Sequence, residues 1–259
     1  MKRILGLLPL TFVLFLSGCS TKTPITSHNT GIWDHYLVYP ISFVITHISH
    51  LFNDNYGIGI IAITLLIRLA LSPLVISLND NQWRMQQLQP EMKKLREQYN
   101  AKDPKTQQLL NQETMKLYQK HGINPAMGCL PAVIQMFILM ALYNAIVRTK
   151  EIAAHTFLWF SLGQTDSLHI LPVLAAVATF LQYWVMNSRA KQSDNAMLNQ
   201  QMKMMLYVMP VMIFFMSFHL VSAIGLYWVV GNTFMAFQTL YLERRKQKKT
   251  LALQMNQEG

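Results

Sequence analysis

The residues best suited to chemistry in this chain are few, and all but one are uncharged. Thr64, Arg68 and Ser72 fall at i, i+4 and i+8, so a helix would carry them as one polar stripe. Gln135, then Thr179 and Gln182, then Trp228, Asn232 and Thr239 sit in three later apolar runs and supply similar stripes. Such a set can bind through a guanidinium and hydrogen-bonding groups, but it holds no nucleophile with a base beside it. The eight histidines form no H-E-x-x-H, and no G-x-S-x-G occurs, so no catalytic residue, metal or cofactor is assigned and a hydrolase is disfavoured. A small-molecule transporter would also place an arginine in a wet cavity, but neither an inverted repeat nor a matched pair of interrupted helices is visible. No small-molecule substrate is expected.

Arg68 lies near the middle of the first long apolar run, roughly 15 Å from either end at helical rise, too far for its side chain to reach the surface easily. None of the apolar runs contains Asp or Glu that could pair with it. A lone guanidinium near a bilayer centre costs about 3 kcal/mol on insertion scales. Water in a hydrophilic cavity lined by the polar stripes would remove that cost. The other reading is that carbonyls or lipid phosphate hold Arg68 for structure alone.

The elements that must position these residues are transmembrane helices. The chain has 259 residues, 52% hydrophobic and 13% charged, against roughly 25% charged in an ordinary soluble domain. Five runs are candidate spans: Ile58 to Leu78, Cys129 to Val147, Ile170 to Asn187, Met204 to His219 and Ile224 to Tyr241. Only Leu220 to Ala223 separate the last two, which predicts a tight hairpin of the fourth and fifth helices. The fold class is therefore an all-α membrane protein of five transmembrane helices around a hydrophilic groove, formed by a core over 58–241.

The net charge of +10 would suit a nucleic-acid binder, but its placement points to a membrane. Residues 79–127 carry eight Lys and Arg, 188–203 carry three and 242–259 carry five, whereas the opposite side has only Lys22, Arg148 and Lys150. Cations are retained on the cytoplasmic side, so the N-terminus lies outside and the C-terminus inside. Segment 79–127 reads as a cytoplasmic helical hairpin, either a structured loop and nothing more or a mobile arm. Met85, Leu88, Met92, Leu95 and Tyr99 form its first stripe, Asp103-Pro104 its turn and Lys105 to Lys120 its second helix.

Residues 1–18 have a basic start and a short apolar stretch, and Leu16-Ser17-Gly18-Cys19 resembles a lipobox. By that resemblance they are a lipoprotein signal peptide, and Cys19 becomes the lipidated N-terminus of a segment, 19–57, on the outer surface. There Trp33, Leu37, Ile41, Val44, Ile48 and Phe52 recur at helical spacing, with Ser42 and Ser49 largely elsewhere, predicting an outer amphipathic helix. Cys129, the other cysteine, opens an apolar run and reads as a packed thiol. Met205, Met209, Met212 and Met216 share one face of the fourth run, as packing or as an adaptable contact surface.

Beyond these patterns, His121-Gly122-Ile123-Asn124-Pro125 followed by Gly128-Cys129-Leu130-Pro131 and Gln135 resembles the start of the second conserved span of YidC-type insertases. Leu226-Tyr227-Trp228 with Asn232 resembles their last span. Arg68 with Pro73, Pro172 with Gln182, and Pro210 extend the likeness from about Trp33 to Tyr241. The resemblance implies a five-helix core whose groove opens to cytoplasm and lipid, with Arg68 as its positive charge. It implies insertion and folding of nascent membrane proteins in the plasma membrane, alone or with the Sec translocon, without covalent chemistry. Phe137 and Val221 stand where the family often has proline, and the large outer domain of Gram-negative members is missing. The basic tail at 242–259, with Arg244, Arg245, Lys246, Lys248 and Lys249, is suited to anionic lipid or ribosomal RNA, so the ribosome or the signal recognition particle pathway is a further expected partner.

Overall fold

A computed structural model describes residues 23–27, 30–99, 103–128, 130–189 and 196–258. The expected signal peptide, Cys19 and Cys129 lie outside these residues.

Helices account for nearly all of the structure. A π-helical turn, Asp34–Val38, leads into α1, Tyr39–Leu51. A tight turn follows in which Asn53 and Asp54 take positive φ, the two residue types besides glycine that do so at least cost. Asn55 then caps the next helix by accepting from the Ile58 amide at 3.2 Å. That helix, α2, runs Tyr56–Gln87 and is followed by α3, Gln89–Gln98, and α4, Pro104–Lys120. Asp103 caps α4 by accepting from the Thr106 amide, and hydrogen bonding from Thr106, chiefly its side chain and then its amide, holds the carboxyl below the usual value. The second helix expected after Asp103-Pro104 is thus present.

A 3₁₀ turn, Pro125–Gly128, precedes α5, Leu130–Arg148, and a short α6, Lys150–Ala154. Strands β1, Thr156–Phe157, and β2, Phe160–Ser161, pair antiparallel before α7, Ile170–Arg189. Helix α8 spans Ala196–Ser217 and α9 spans Ser222–Glu258, carrying the basic tail as a continuation of the last helix. Among the described residues three segments are long and apolar enough to cross a membrane, Tyr56–Gln82, Leu130–Arg148 and Ile170–Ser188, with Met202–Ser217 a shorter apolar helix. Helix α9 differs because its first turns are buried among the others, from Ser222 through Trp228, and the apolar stretch that follows includes Asn232 and Gln238. A helix enclosed by protein need not be greasy all round.

Two expectations are corrected. Helices α8 and α9 do have a short connection, but they barely touch along their lengths; α7 packs against both of them. The cause is local: the Ser222 amide and hydroxyl both donate to the Gln164 carbonyl at 2.7 Å, and the Ala223 amide donates to Leu162. These bonds seat the start of α9 beside the start of α7, where Leu171 fills the space left by Gly225. The amphipathic α1 is also rotated from its expected face. Val38, Ser42, Ile45 and Ser49 are buried, while Leu37 and Phe52 are exposed. Small side chains let α1 cross α2 closely: a Cβ on Gly59 would lie 2.6 Å from the Ile45 carbonyl. Ser49 spends its hydroxyl on that same carbonyl, and Ser42 on Thr149. Both serines can therefore be buried without an unpaired polar group.

The main packed cluster lies at one end of the bundle. It joins Ile45 of α1, Tyr56 and Ile60 at the start of α2, Leu142 and Ile146 near the end of α5, Leu171 and Ala175 at the start of α7, Ile213 near the end of α8, and Ile224, Tyr227 and Trp228 at the start of α9. The segment between α5 and α7 adds Ile152, Phe160 and Leu162. Toward the opposite end, residues 131–140 of α5 and 65–77 of α2 are half-buried or exposed throughout. Arg68 stands where the tight end gives way to the loose one.

Candidate functional site

The α2 stripe is built unevenly. Thr64 is fully buried and donates to the Ile60 carbonyl at 2.6 Å; Ser72 donates to the Arg68 carbonyl at 2.9 Å and accepts from Gln238 of α9 at 2.8 Å. Both hydroxyls thus satisfy themselves on their own helix, one turn back, which keeps a polar stripe tolerable in an apolar environment. Arg68, half-buried between them, has no such partner for its Nε, which is shielded from solvent and makes no hydrogen bond. Its guanidinium carbon lies 5.6 Å from the centre of the Tyr227 ring, a cation–π distance. Tyr227 is itself fixed from α5, because Gln135 donates to its phenolic oxygen at 2.9 Å. Three helices therefore converge on Arg68.

The remaining predicted residues pair elsewhere. Asn232 donates to Thr179 at 2.6 Å across the α7–α9 contact, and Thr179 donates in turn to the Ala175 carbonyl. Both are buried, as is Trp228, which belongs to the packed cluster. Gln182 is half-buried, nearly one turn beyond Thr179 on α7. So the structure brings Arg68 and Gln135 together through Tyr227, joins Ser72 to α9, and turns Thr64, Thr179, Trp228 and Asn232 toward neighbouring helices. No group of three or more His, Cys, Asp or Glu among the described residues could hold a metal.

The turn before α5 is tied to α2. Asn81 donates to the Asn124 carbonyl at 3.0 Å and accepts from the Asn124 amide at 3.3 Å, a paired bond that fixes the turn before Pro125. At the other end of α5 a second arginine is fully engaged. Arg148 forks onto Asp34 at 2.8 and 2.7 Å and donates from Nε to the Thr23 carbonyl at 2.8 Å.

Comparison with known proteins now decides the family. The model of the 60Kd inner membrane protein family matches residues 47–249. The chain is 50% identical over 253 residues to the membrane protein insertase MisCA of Bacillus subtilis (strain 168), covering 96% of this chain and 95% of that protein. It is 47% identical to membrane protein insertase YidC 2 of Listeria innocua, covering 99% and 90%, and 51% identical to membrane protein insertase YidC 2 of Bacillus anthracis, covering 90% and 91%. The chain belongs to the YidC-type membrane protein insertases. It is a multi-pass, predominantly helical membrane protein of that family.

Two residues of this YidC-type site carry no role in the sequence reading. Tyr227 stands inside the Leu226-Tyr227-Trp228 motif but gives no polar signal, since its ring rather than its hydroxyl meets Arg68. Gly231 lies one turn further along α9, with the Arg68 side chain against it. The available signal is helical spacing: Tyr227, Gly231 and Gln238, at i, i+4 and i+11, form one face toward α2.

Proposed function

We propose that this chain inserts nascent membrane proteins by letting their hydrophilic segments rest in a water-filled groove whose charge is Arg68. The observation that supports this most is the state of Arg68: a guanidinium at membrane depth, with an unpaired buried Nε and the Tyr227 ring at cation–π distance, at the point where the packed end of the bundle opens. A residue kept for structure alone would find carbonyls or a carboxylate to bond.

A client's polar tail must cross an apolar layer in which each unsatisfied backbone group costs several kcal/mol. A groove reaching partway across shortens that layer. In its low dielectric the charge of Arg68 attracts an acidic tail more strongly than bulk water allows. The tail then leaves outward while the client's apolar segment passes into lipid along the exposed faces of α7 and α8, which include Val177, Trp184, Val208 and Phe215. In this reading Gln135, Ser72 and Gln182 line the groove, and Thr64, Thr179, Trp228 and Asn232 form the wall behind it. All five long helices, α2, α5, α7, α8 and α9, span the bilayer. The cytoplasmic hairpin acts as a mobile arm, and the Sec translocon and the ribosome or signal recognition particle pathway are partners. Residues 1–18 are removed and Cys19 carries a lipid outside, which mass spectrometry of the mature N-terminus tests directly.

Purified protein in liposomes tests the function. It should integrate a small membrane protein without ATP; transport of a solute with no integration would replace insertion by a transporter reading. Single cysteines at Gln98 and Gln107 should react with an impermeant thiol reagent only after cell lysis, and labelling in intact cells would reverse the orientation.

A further inference from the structure

The inference below rests on reading Arg68 as the groove's anion-attracting charge. A Cβ built on Gly231 would lie 2.8 Å from Nη2, 3.1 Å from Nε and 3.4 Å from Cζ of Arg68. The carbon being the farthest of the three, that point sits off the Nε–Nη2 edge in the guanidinium plane, not over its face. This edge is the one a carboxylate uses for side-on, two-point pairing. Here it is turned onto the α9 backbone, where it meets no acceptor, in keeping with the unpaired Nε. Tyr227, one turn earlier on the same face of α9, supplies the ring beneath the cation.

We infer that Gly231 and Tyr227 form a seat that holds the Arg68 guanidinium with its side-on edge closed, making Gly231 a positioning residue that decides how Arg68 meets an anion. Only glycine leaves room for the planar head, since any Cβ at 231 meets Nη2 at less than van der Waals distance. With the Nε–Nη2 edge occupied, a client carboxylate reaches Arg68 at its terminal nitrogens alone. That leaves the end-on approach, the one by which Arg148 meets Asp34 through Nη1 and Nη2, and closes the side-on fork that would add Nε. A lysine, which lacks the fork and the Nη atoms, would fit the same seat.

The test combines a chemical readout with a double-mutant cycle in the full-length protein. Phenylglyoxal modification of Arg68, followed by peptide mass spectrometry in detergent, should be several-fold faster in Gly231→Ala than in wild type, because the methyl displaces the guanidinium. Thr233→Ala, an exposed position on the same helix, should match wild type. In cells, Gly231→Ala should cut insertion of an acidic-tailed reporter at least fivefold while leaving its neutral-tailed twin within twofold. Adding Gly231→Ala to Arg68→Lys should change acidic-tail insertion by less than twofold. If Gly231→Ala fails to accumulate alone, recovery in the Arg68→Lys background supports the seat, and failure in both backgrounds overturns it. Unchanged Arg68 modification, or equal loss for both tails in both backgrounds, overturns it too. A faster modification with no tail dependence in any variant, Arg68→Ala included, leaves the seat standing and removes the client-tail reading on which its use depends.

Discussion

Two arginines of the bundle are treated in opposite ways. Arg148, at the packed end, has a side chain only 4% exposed, forks onto Asp34, and bonds Thr23 as well. Arg68, where the packed end gives way to the open one, meets a ring, a glycine and no acceptor at Nε. Paired and unpaired guanidinium groups differ in what they can do next. Arg148 has committed its donors to joining the N-terminal segment, the turn of Asp34 and the end of α5, so it contributes rigidity. Arg68 keeps an unpaired Nε, and in the proposed mechanism its charge attracts an anion that has yet to arrive.

The contrast is broken most severely by removing the paired arginine. Arg148→Ala removes the two-point fork onto Asp34, and breaking a buried pair costs about 3–5 kcal/mol; Asp34 is one-fifth exposed, which places the expected loss near the lower figure. Thermal unfolding in detergent should show a lowered Tm, and at matched protein levels acidic and neutral clients should be inserted equally well or equally poorly. A tail-dependent defect would give Arg148 the role assigned to Arg68. The milder Arg148→Lys keeps the charge and loses the fork, so about half of that destabilisation should remain. Full stability in Arg148→Lys would show that the two-point geometry contributes little.

A smaller effect sharpens the other side. Tyr227→Phe preserves the ring under Arg68 and removes the oxygen that Gln135 bonds, at a cost of about 1 kcal/mol. Its acidic-tail selectivity should equal that of wild type. Loss of selectivity in Tyr227→Phe would mean that the Gln135 bond, and not the ring, orients the guanidinium.

Much of this arrangement is legible in the sequence because helical spacing and charge exclusion are strong signals. The apolar runs, the stripe of Thr64, Arg68 and Ser72, the Asp103-Pro104 turn and the family motifs can all be read from one chain. Side-chain destinations are less legible. Ser42 and Ser49 look like solvent-facing residues of α1, yet both are buried because hydroxyls can bond a helix carbonyl or a neighbouring threonine and are small enough for close crossing. Polar type alone likewise suggests that Thr179 and Asn232 face a cavity, whereas they satisfy each other between helices. In lipid, where burial from water does not drive helices together, such bonds and close packing hold the bundle. The separation of α8 from α9 depends on three long-range bonds to the loop before α7 that no local pattern encodes. Arg148 is the clearest case: counted by itself it is one of three outer cations, and only the fold shows that its charge is spent.

The central claim, that the unpaired charge of Arg68 serves clients with acidic tails, is tested most directly by paired reporters, one acidic and one neutralised, in cells that depend on wild type, Arg68→Lys or Arg68→Ala. At matched protein levels Arg68→Lys should keep most insertion of the acidic reporter and Arg68→Ala should lose it, with the neutral reporter little affected by either. Equal insertion of the acidic reporter by wild type and Arg68→Ala would contradict the claim and remove Arg68 from the mechanism.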